Sequence, residues 1–315
     1  MNLLDPANVM FPDTYVNELH AGHVGIENVT TAPPWDDAKQ TFERFSQWFA
    51  LFRDHSEKLQ QVERPDDIDE AKSKGKVGII LGLQGASPIG EDLNLLLVFR
   101  KLGLRILGLA YQRRNIFADG CGEPKDSGLS KLGEKLVSEA NRLGILIDLS
   151  HAGRKAAMEA TELSRDPVIF SHSNVKALCN HARNADDEQI KALSERGGLI
   201  GLAAYGPLLR GNARATMKDF FDHIDYVVKL VGVNHVGLGL DLYPPTPQEF
   251  WAEFRRRVPE IAGSYPFETT LEGLNGPAEW VTIAKGLEER GYSEDDIRKI
   301  LGQNAARIFR EVWRD

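Results

Sequence analysis

Short apolar runs alternate with amphipathic stretches along most of the chain. The runs 23–29 (HVGIENV), 76–83 (KVGIILGL), 104–110 (LRILGLA), 145–149 (ILIDL), 168–170 (VIF), 198–204 (GLIGLAA) and 235–240 (HVGLGL) read as buried strands. Between them, 35–52, 65–74, 93–102, 131–143, 154–163, 189–196 and 218–230 read as helices. The first of these carries Phe42, Phe45, Trp48, Phe49 and Phe52 on one face, the signature of a core-facing stripe. Pro33-Pro34 stops the first strand, and the rest of 1–35 reads as irregular. The tail is helical: 277–290 ended by Gly291, a helix capped by Ser293 with Asp295 and Asp296 near its positive end, and 303–313. Strand and helix alternate seven or eight times without a linker or low-complexity stretch. That predicts an α/β chain folded as one (β/α)8 TIM barrel over 1–315, with C-terminal helices at 277–313.

The segment 144–173 (GILIDLSHAGRKAAMEATELSRDPVIFSHS) carries the first chemistry. One strand ends in Ser150-His151, a helix follows, and the next strand ends in Ser171-His172-Ser173. Parallel strands joined through a helix end on the same side of the sheet, so His151 and His172 are expected side by side. Two neutral imidazoles brought together suit one divalent ion, whereas either alone would read as a strand-end histidine bonded to backbone. The other strand ends present Gln84, Tyr111, an Ala203–Tyr205 group and Asp241, and Arg183-Asn184 follow His172 in the next loop. Metal-assisted hydrolysis needs a Lewis acid and a carboxylate within reach. Asp241 can be a third ligand or the base, or can bond backbone amides in the turn before Pro244-Pro245. Arg183 can hold a substrate carboxylate through two parallel hydrogen bonds, or pair with Asp186 or Asp187. Tyr111 can stabilise an oxyanion or simply pack.

His20, His23, His55, His181, His223 and His235 read as structural or solvated, although His20 and His23 have metal-compatible HxxH spacing. The seventeen-residue stretch Tyr111–Ser127, with Arg113, Arg114 and Asp119, is long for a strand-to-helix connection and points to function, with an anionic substrate favoured.

A formal net charge of −8 with interspersed acids and bases gives no nucleic-acid footprint and no polybasic membrane anchor. The two cysteines, Cys121 and Cys179, are far apart and outside any CxxC, which fits a reducing compartment. No apolar run reaches the ~18 residues of a membrane span, and MNLLDPANVMFPD has no signal-peptide layout. The expectation is a cytoplasmic protein acting on a small molecule, with self-association left open.

The motifs IDLSH at 147–151, FSHS at 170–173, HARN at 181–184, HVGLGLD at 235–241 and GYSEDDIRKILGQNAARIF at 291–309 together resemble the membrane (renal-type) dipeptidases, peptidase family M19. The resemblance runs from about residue 20 to the C-terminus. It implies a TIM barrel of the metal-dependent hydrolase type, zinc as cofactor, and a dipeptide-like substrate with a carboxylate. In that family two zincs share a glutamate. One of them also uses a His-x-Asp pair on the first strand, and the other uses two later histidines. The later histidines fall on His151 and His172, the substrate-binding arginine on Arg183 and the site aspartate on Asp241. The bridging glutamate falls on Gln84, the His-x-Asp pair on Ala7 and Val9, and a substrate-polarising histidine on Tyr111. A neutral amide bridges two dications poorly. The expected site is therefore mononuclear: one divalent ion, taken as zinc, at His151 and His172. Asp241, Tyr111 and Gln84 are placed at the chemistry, and Arg183 and Asn184 at the substrate. A barrel repurposed for non-hydrolytic work on a small carboxylate, and a non-catalytic ligand-binding relative, remain as alternatives.

Overall fold

The computed structural model describes residues 1–5, 12–211, 214–242, 252, 255–256, 271–274 and 276–314. Ala7, Val9 and Pro244-Pro245 lie outside them. Nine strands are seen among the described residues: β1 (Asn2–Asp5), β2 (Ile26–Thr30), β3 (Leu59–Gln61), β4 (Val77–Leu83), β5 (Leu104–Gly108), β6 (Leu146–Asp148), β7 (Ile169–Ser173), β8 (Leu199–Leu202) and β9 (Val236–Leu238). They pair in parallel in the order β1-β2-β4-β5-β6-β7-β8-β9, with β3 added beside the start of β4. A helix lies between most successive strands, so the expected (β/α)8 barrel is what the chain forms.

The ring closes between β9 and β1 without a full ladder. The Asp241 N–H donates to Leu4 O at 3.1 Å. Fully buried Asn2 accepts the Leu240 N–H at 2.8 Å and donates to Glu27 Oε1 at 2.6 Å.

Period-two alternation divides the strand residues between two cores. Leu3, Ile26, Ile80, Ile106, Leu146, Ile169 and Leu199, one from each of seven strands, form one cluster with Ile308, Phe309 and Val312 of the last helix, Asn304–Val312. This is the barrel interior, plugged at one end by that helix. Their neighbours Ile79, Leu81, Leu107, Ile147 and Ile200 join the larger cluster formed with the surrounding helices. Further along β6 and β7 the interior positions change to Asp148 and Ser171, so the interior turns polar towards the C-terminal ends of the strands.

The structure corrects the sequence reading in four places. Residues 1–35 are not irregular, because they hold β1 and a helix, Pro12–Ala21. The four residues of β1 are too few to show a period. β3 was not expected at all, since Leu-Gln-Gln carries one apolar side chain. The first expected strand begins at Ile26, after a turn in which His23 takes φ 53°. The first long helix begins at Ala38 because Asp37 and Gln40 form a reciprocal capping box ahead of it.

Asn2→Ala removes a buried side chain that joins β2 and β9 to β1. Leaving the Leu240 N–H without its acceptor, and breaking the bond to Glu27, should destabilise the fold by about 2–4 kcal/mol. The shift of the urea midpoint measures this.

Candidate active site

His151 and His172 stand at the ends of β6 and β7, as the pattern predicts. Their Nε2 atoms are 2.7 Å apart, with ring centroids at 4.7 Å. Two local irregularities aim them. Between Phe170 and Ser173, β7 takes three steps against two on β8, so one extra residue is accommodated in the bulge holding Ser171-His172. His151 takes φ 68°, a left-handed conformation uncommon outside glycine, and Asp241 takes φ 53°. The loop after β5 braces the first of these, with the Cys121 N–H donating to His151 O at 2.8 Å.

Both imidazoles are buried, and burial together with the nearby Arg183 charge holds their pKa values well below the usual histidine range. Arg183 points inward. Its Nη2 donates to His172 O at 2.9 Å and lies 3.2 Å from His151 Nε2, while Nη1 donates to Ser173 Oγ at 3.2 Å. The surface pairing of Arg183 with Asp186 does not occur, since Arg154 pairs with Asp186 instead.

Tyr111 stacks on His151 with centroids 4.2 Å apart and planes at 29°. Burial, and then the nearby Asp241, push its phenol pKa up, so the hydroxyl keeps its proton. Asp241, at the end of β9, is pushed up to about 7 by burial, and Arg183 opposes the shift. Gln84 donates from Nε2 to Thr30 Oγ1 at 2.7 Å. Asn184 uses its amide N–H groups on Cys179 O and Leu208 O, at 2.9 and 2.8 Å, so it ties the loop carrying Arg183 to the scaffold.

In the long loop, Arg114 donates from Nη2 to buried Asp119 at 2.8 Å and so is already paired within the loop. His223 accepts from the Val175 N–H and approaches Leu209 O, and His235 contacts Gly198 O, which makes both structural.

Sequence reasoning passed over the residues behind the pair. Asp148 Oδ1 accepts the N–H groups of Ser150 and Ser171, both at 2.9 Å. Ser171 Oγ lies 2.5 Å from Asp148 Oδ2 and 2.7 Å from His172 Nδ1. The available signal was an acid and serines inside otherwise apolar strand ends, IDLS and FSHS. Among the described residues no group of three or more His, Cys, Asp or Glu side chains is gathered to hold an ion.

The sequence profile described as membrane dipeptidase, peptidase family M19, matches residues 8–250. An amidohydrolase from Pseudomonas aeruginosa superposes with a TM-score of 0.90 at 30% identity, covering 98% of this chain and 94% of that one. A Rhodobacter sphaeroides metallo peptidase, solved with a phosphinate mimic of the dipeptide L-Ala-D-Ala, superposes with a TM-score of 0.80 at 23% identity. That superposition covers 95% of this chain and 90% of that one, and shows the shared fold. Dipeptidase tcpJ of Claviceps purpurea is 29% identical over 278 residues, which are 87% of this chain and 60% of that protein. The chain thus spans about 60% of the length of that curated relative. With the profile matching well over half of a chain that also has the barrel, this protein belongs to the membrane dipeptidase family, peptidase family M19.

Proposed function

We propose that the protein is a dipeptidase-like hydrolase that works with one divalent ion, zinc, on a small amide or dipeptide-like substrate bearing a carboxylate. The observation that carries this reading is the convergence of two buried, neutral imidazoles, their Nε2 atoms 2.7 Å apart. Two nitrogen donors of this kind fit a single borderline ion. They do not make a dinuclear site, because Gln84 offers a neutral amide where a bridging carboxylate is needed, and neither Ala7 nor Val9 carries a donor. The ion, when bound, supplies Lewis acidity to the carbonyl and to the attacking water.

The chain's own residues do the rest. Arg183, buried and fixed by Ser173 and the His172 carbonyl, provides the positive charge that pairs with the substrate carboxylate. Tyr111, kept protonated by its surroundings, donates its hydroxyl to the oxygen on which negative charge develops. Asp241, with a pKa near neutrality, accepts the proton of the attacking water and returns it to the leaving amine nitrogen. Water oxygen bonds to the carbonyl carbon, the C–N bond breaks, and an acid and an amine result. Gln84, tethered to Thr30, holds a neutral amide beside this chemistry, and Asn184 positions the loop of Arg183. Residues 1–315 act as one barrel unit with its C-terminal helices. Free Cys121 and Cys179 accord with work in the cytoplasm. Among the described residues no helix is long and apolar enough to cross a membrane.

Elemental analysis after zinc loading and desalting should find one ion per chain, and His172→Ala should lose it. Two tightly held ions would overturn the mononuclear reading.

Turnover of a dipeptide panel should fall well below the ~10 s⁻¹ of a typical enzyme, with Gln84→Glu giving no recovery. A lone carboxylate cannot bridge to an ion whose other ligands are missing. Wild-type turnover near ~10 s⁻¹ would restore a plain dipeptidase.

Asp241 has its pKa raised by folding, so the folded state holds the extra proton and stability falls as pH rises from the ordinary aspartate value to about 7. Asp241→Asn, compared in metal-free protein, should match wild type at acid pH. It should become the more stable of the two as pH rises through that window. Urea midpoints against pH read this.

A further inference from the structure

The Ser171 hydroxyl sits between an acceptor and an imidazole, and it has only one hydrogen. Its Oγ lies 2.5 Å from Asp148 Oδ2, 2.7 Å from His172 Nδ1 and 3.4 Å from Ser150 Oγ. Asp148 is placed as an acceptor throughout: its Oδ1 takes two backbone N–H groups at 2.9 Å, and its Oδ2 takes the Ser171 hydroxyl. The short contact to Oδ2 must therefore use the Ser171 hydrogen. What Ser171 then presents to His172 is a lone pair, which only an Nδ1–H can meet. His172 carries its proton on Nδ1, and its Nε2 is left as a bare lone pair facing the site.

We propose that Asp148, acting through Ser171, is a positioning pair that fixes the tautomer of His172 and keeps its Nε2 ready to bind a cation. This rests on the metal-dependent reading above. It differs from the usual arrangement, in which a carboxylate or carbonyl bonds the ligand histidine directly, by the hydroxyl placed between. The backbone reinforces it, since the His172 N–H donates to Ser150 Oγ at 3.0 Å and Arg183 Nη2 holds His172 O. Ring and main chain of the one residue are thus clamped together.

The assignment also exposes a conflict that a cation removes. With His172 Nε2 a lone pair, the 2.7 Å contact needs a hydrogen from His151 Nε2. Arg183 Nη2, 3.2 Å away, directs a donor at that same His151 atom. If His151 Nε2 carries hydrogen, it faces the guanidinium donor. If it does not, two lone pairs face each other. A positive ion shared by the two nitrogens would satisfy both lone pairs, with Arg183 Nη2 keeping its bond to His172 O.

The test uses full-length metal-free protein labelled with 15N-histidine, and zinc alone as the probe. In wild type, NMR should report His172 as the Nδ1–H tautomer. In Asp148→Asn the amide can donate to Ser171 Oγ, which turns the Ser171 hydrogen towards His172 and should drive the ring to Nε2–H. Ser171→Ala should leave the tautomer mixed, and Ser171→Thr, which keeps the hydroxyl, should restore it. Zinc affinity, read by competition with a chromophoric chelator, should drop about 10–100-fold in Asp148→Asn and Ser171→Ala and recover in Ser171→Thr. Unfolding midpoints show that each variant compared is folded. An Nε2–H tautomer in wild type, or an Asp148→Asn protein with unchanged tautomer and zinc affinity, would overturn the proposal. Wild type that shows the expected tautomers but binds no zinc would leave the hydrogen-bond assignment standing and sink the metal-dependent reading instead.

Discussion

A single buried carboxylate joins the strands that carry the two histidines. β6 and β7 are paired in register only at Asp148 and Ile169. Beyond that point the backbone bond from the Leu149 N–H to Ile169 O is followed not by more ladder but by the Asp148 side chain, which takes the N–H groups of Ser150 and Ser171. Those are the donors that a regular sheet would have used on a neighbouring strand. A buried N–H without an acceptor costs about 1–3 kcal/mol, so the strands can diverge here only because Asp148 supplies one. Divergence is what the site requires: β7 needs its extra residue to direct His172, and β6 needs the left-handed turn at His151. The carboxylate that permits this geometry also fixes the hydrogen on Ser171, so backbone shape and imidazole chemistry share one cause.

The same division runs along the barrel axis. One layer of leucine and isoleucine, closed off by the last helix, supplies burial and no chemistry. The next layer is polar and contains glycine where space is short. A Cβ at Gly239 would meet Ser171 O at 1.7 Å, and one at Gly82 would meet Asn28 Oδ1 at 2.5 Å. Gly239, just past β9, thereby leaves room for the main chain of Ser171, and Gly82 on β4 for the side chain of Asn28. Such a layer is stable only when its hydrogen bonds are made, and the Asp148–Ser171–Ser150 group makes them among buried partners.

Much of this was legible in the sequence, for a definite reason. Strands buried on both faces are written as uninterrupted apolar runs, and a parallel barrel places the residue after each run at one mouth. His151, His172 and Asp241 could be placed at a common end on that rule alone. What the rule cannot give is direction. The inward turn of Arg183, the stacking of Tyr111 on His151 and the commitment of Arg114 to Asp119 depend on loop paths with no period to read. β1 and β3 were missed because four and three residues are too few to display alternation. Asp148 was hidden for another reason. Inside an apolar run it looks like a tolerated exception, and its meaning appears only when Ser150 and Ser171, from two different strands, are seen to share it.

Charge balance supports one ion rather than two. Around the histidine pair, Arg183 is a permanent positive charge that no nearby carboxylate bonds in the described structure; its partners are a hydroxyl, a carbonyl and an imidazole. Among the described residues, two divalent ions added to it would face Asp241 and, one layer back, Asp148. Burying that excess of like charge is prohibitive, because unpaired buried charge is the most destabilising thing a fold can carry. One divalent ion with Arg183 brings three positive charges, against at most two negative ones from the carboxylates of Asp241 and Asp148. The remaining charge is neutralised when a substrate carboxylate arrives beside Arg183. In the proposed site the substrate is thus the missing anion. In the proposed site, Gln84 and Val9 in place of acids follow the same logic: without a second ion, those carboxylates would have nothing to neutralise.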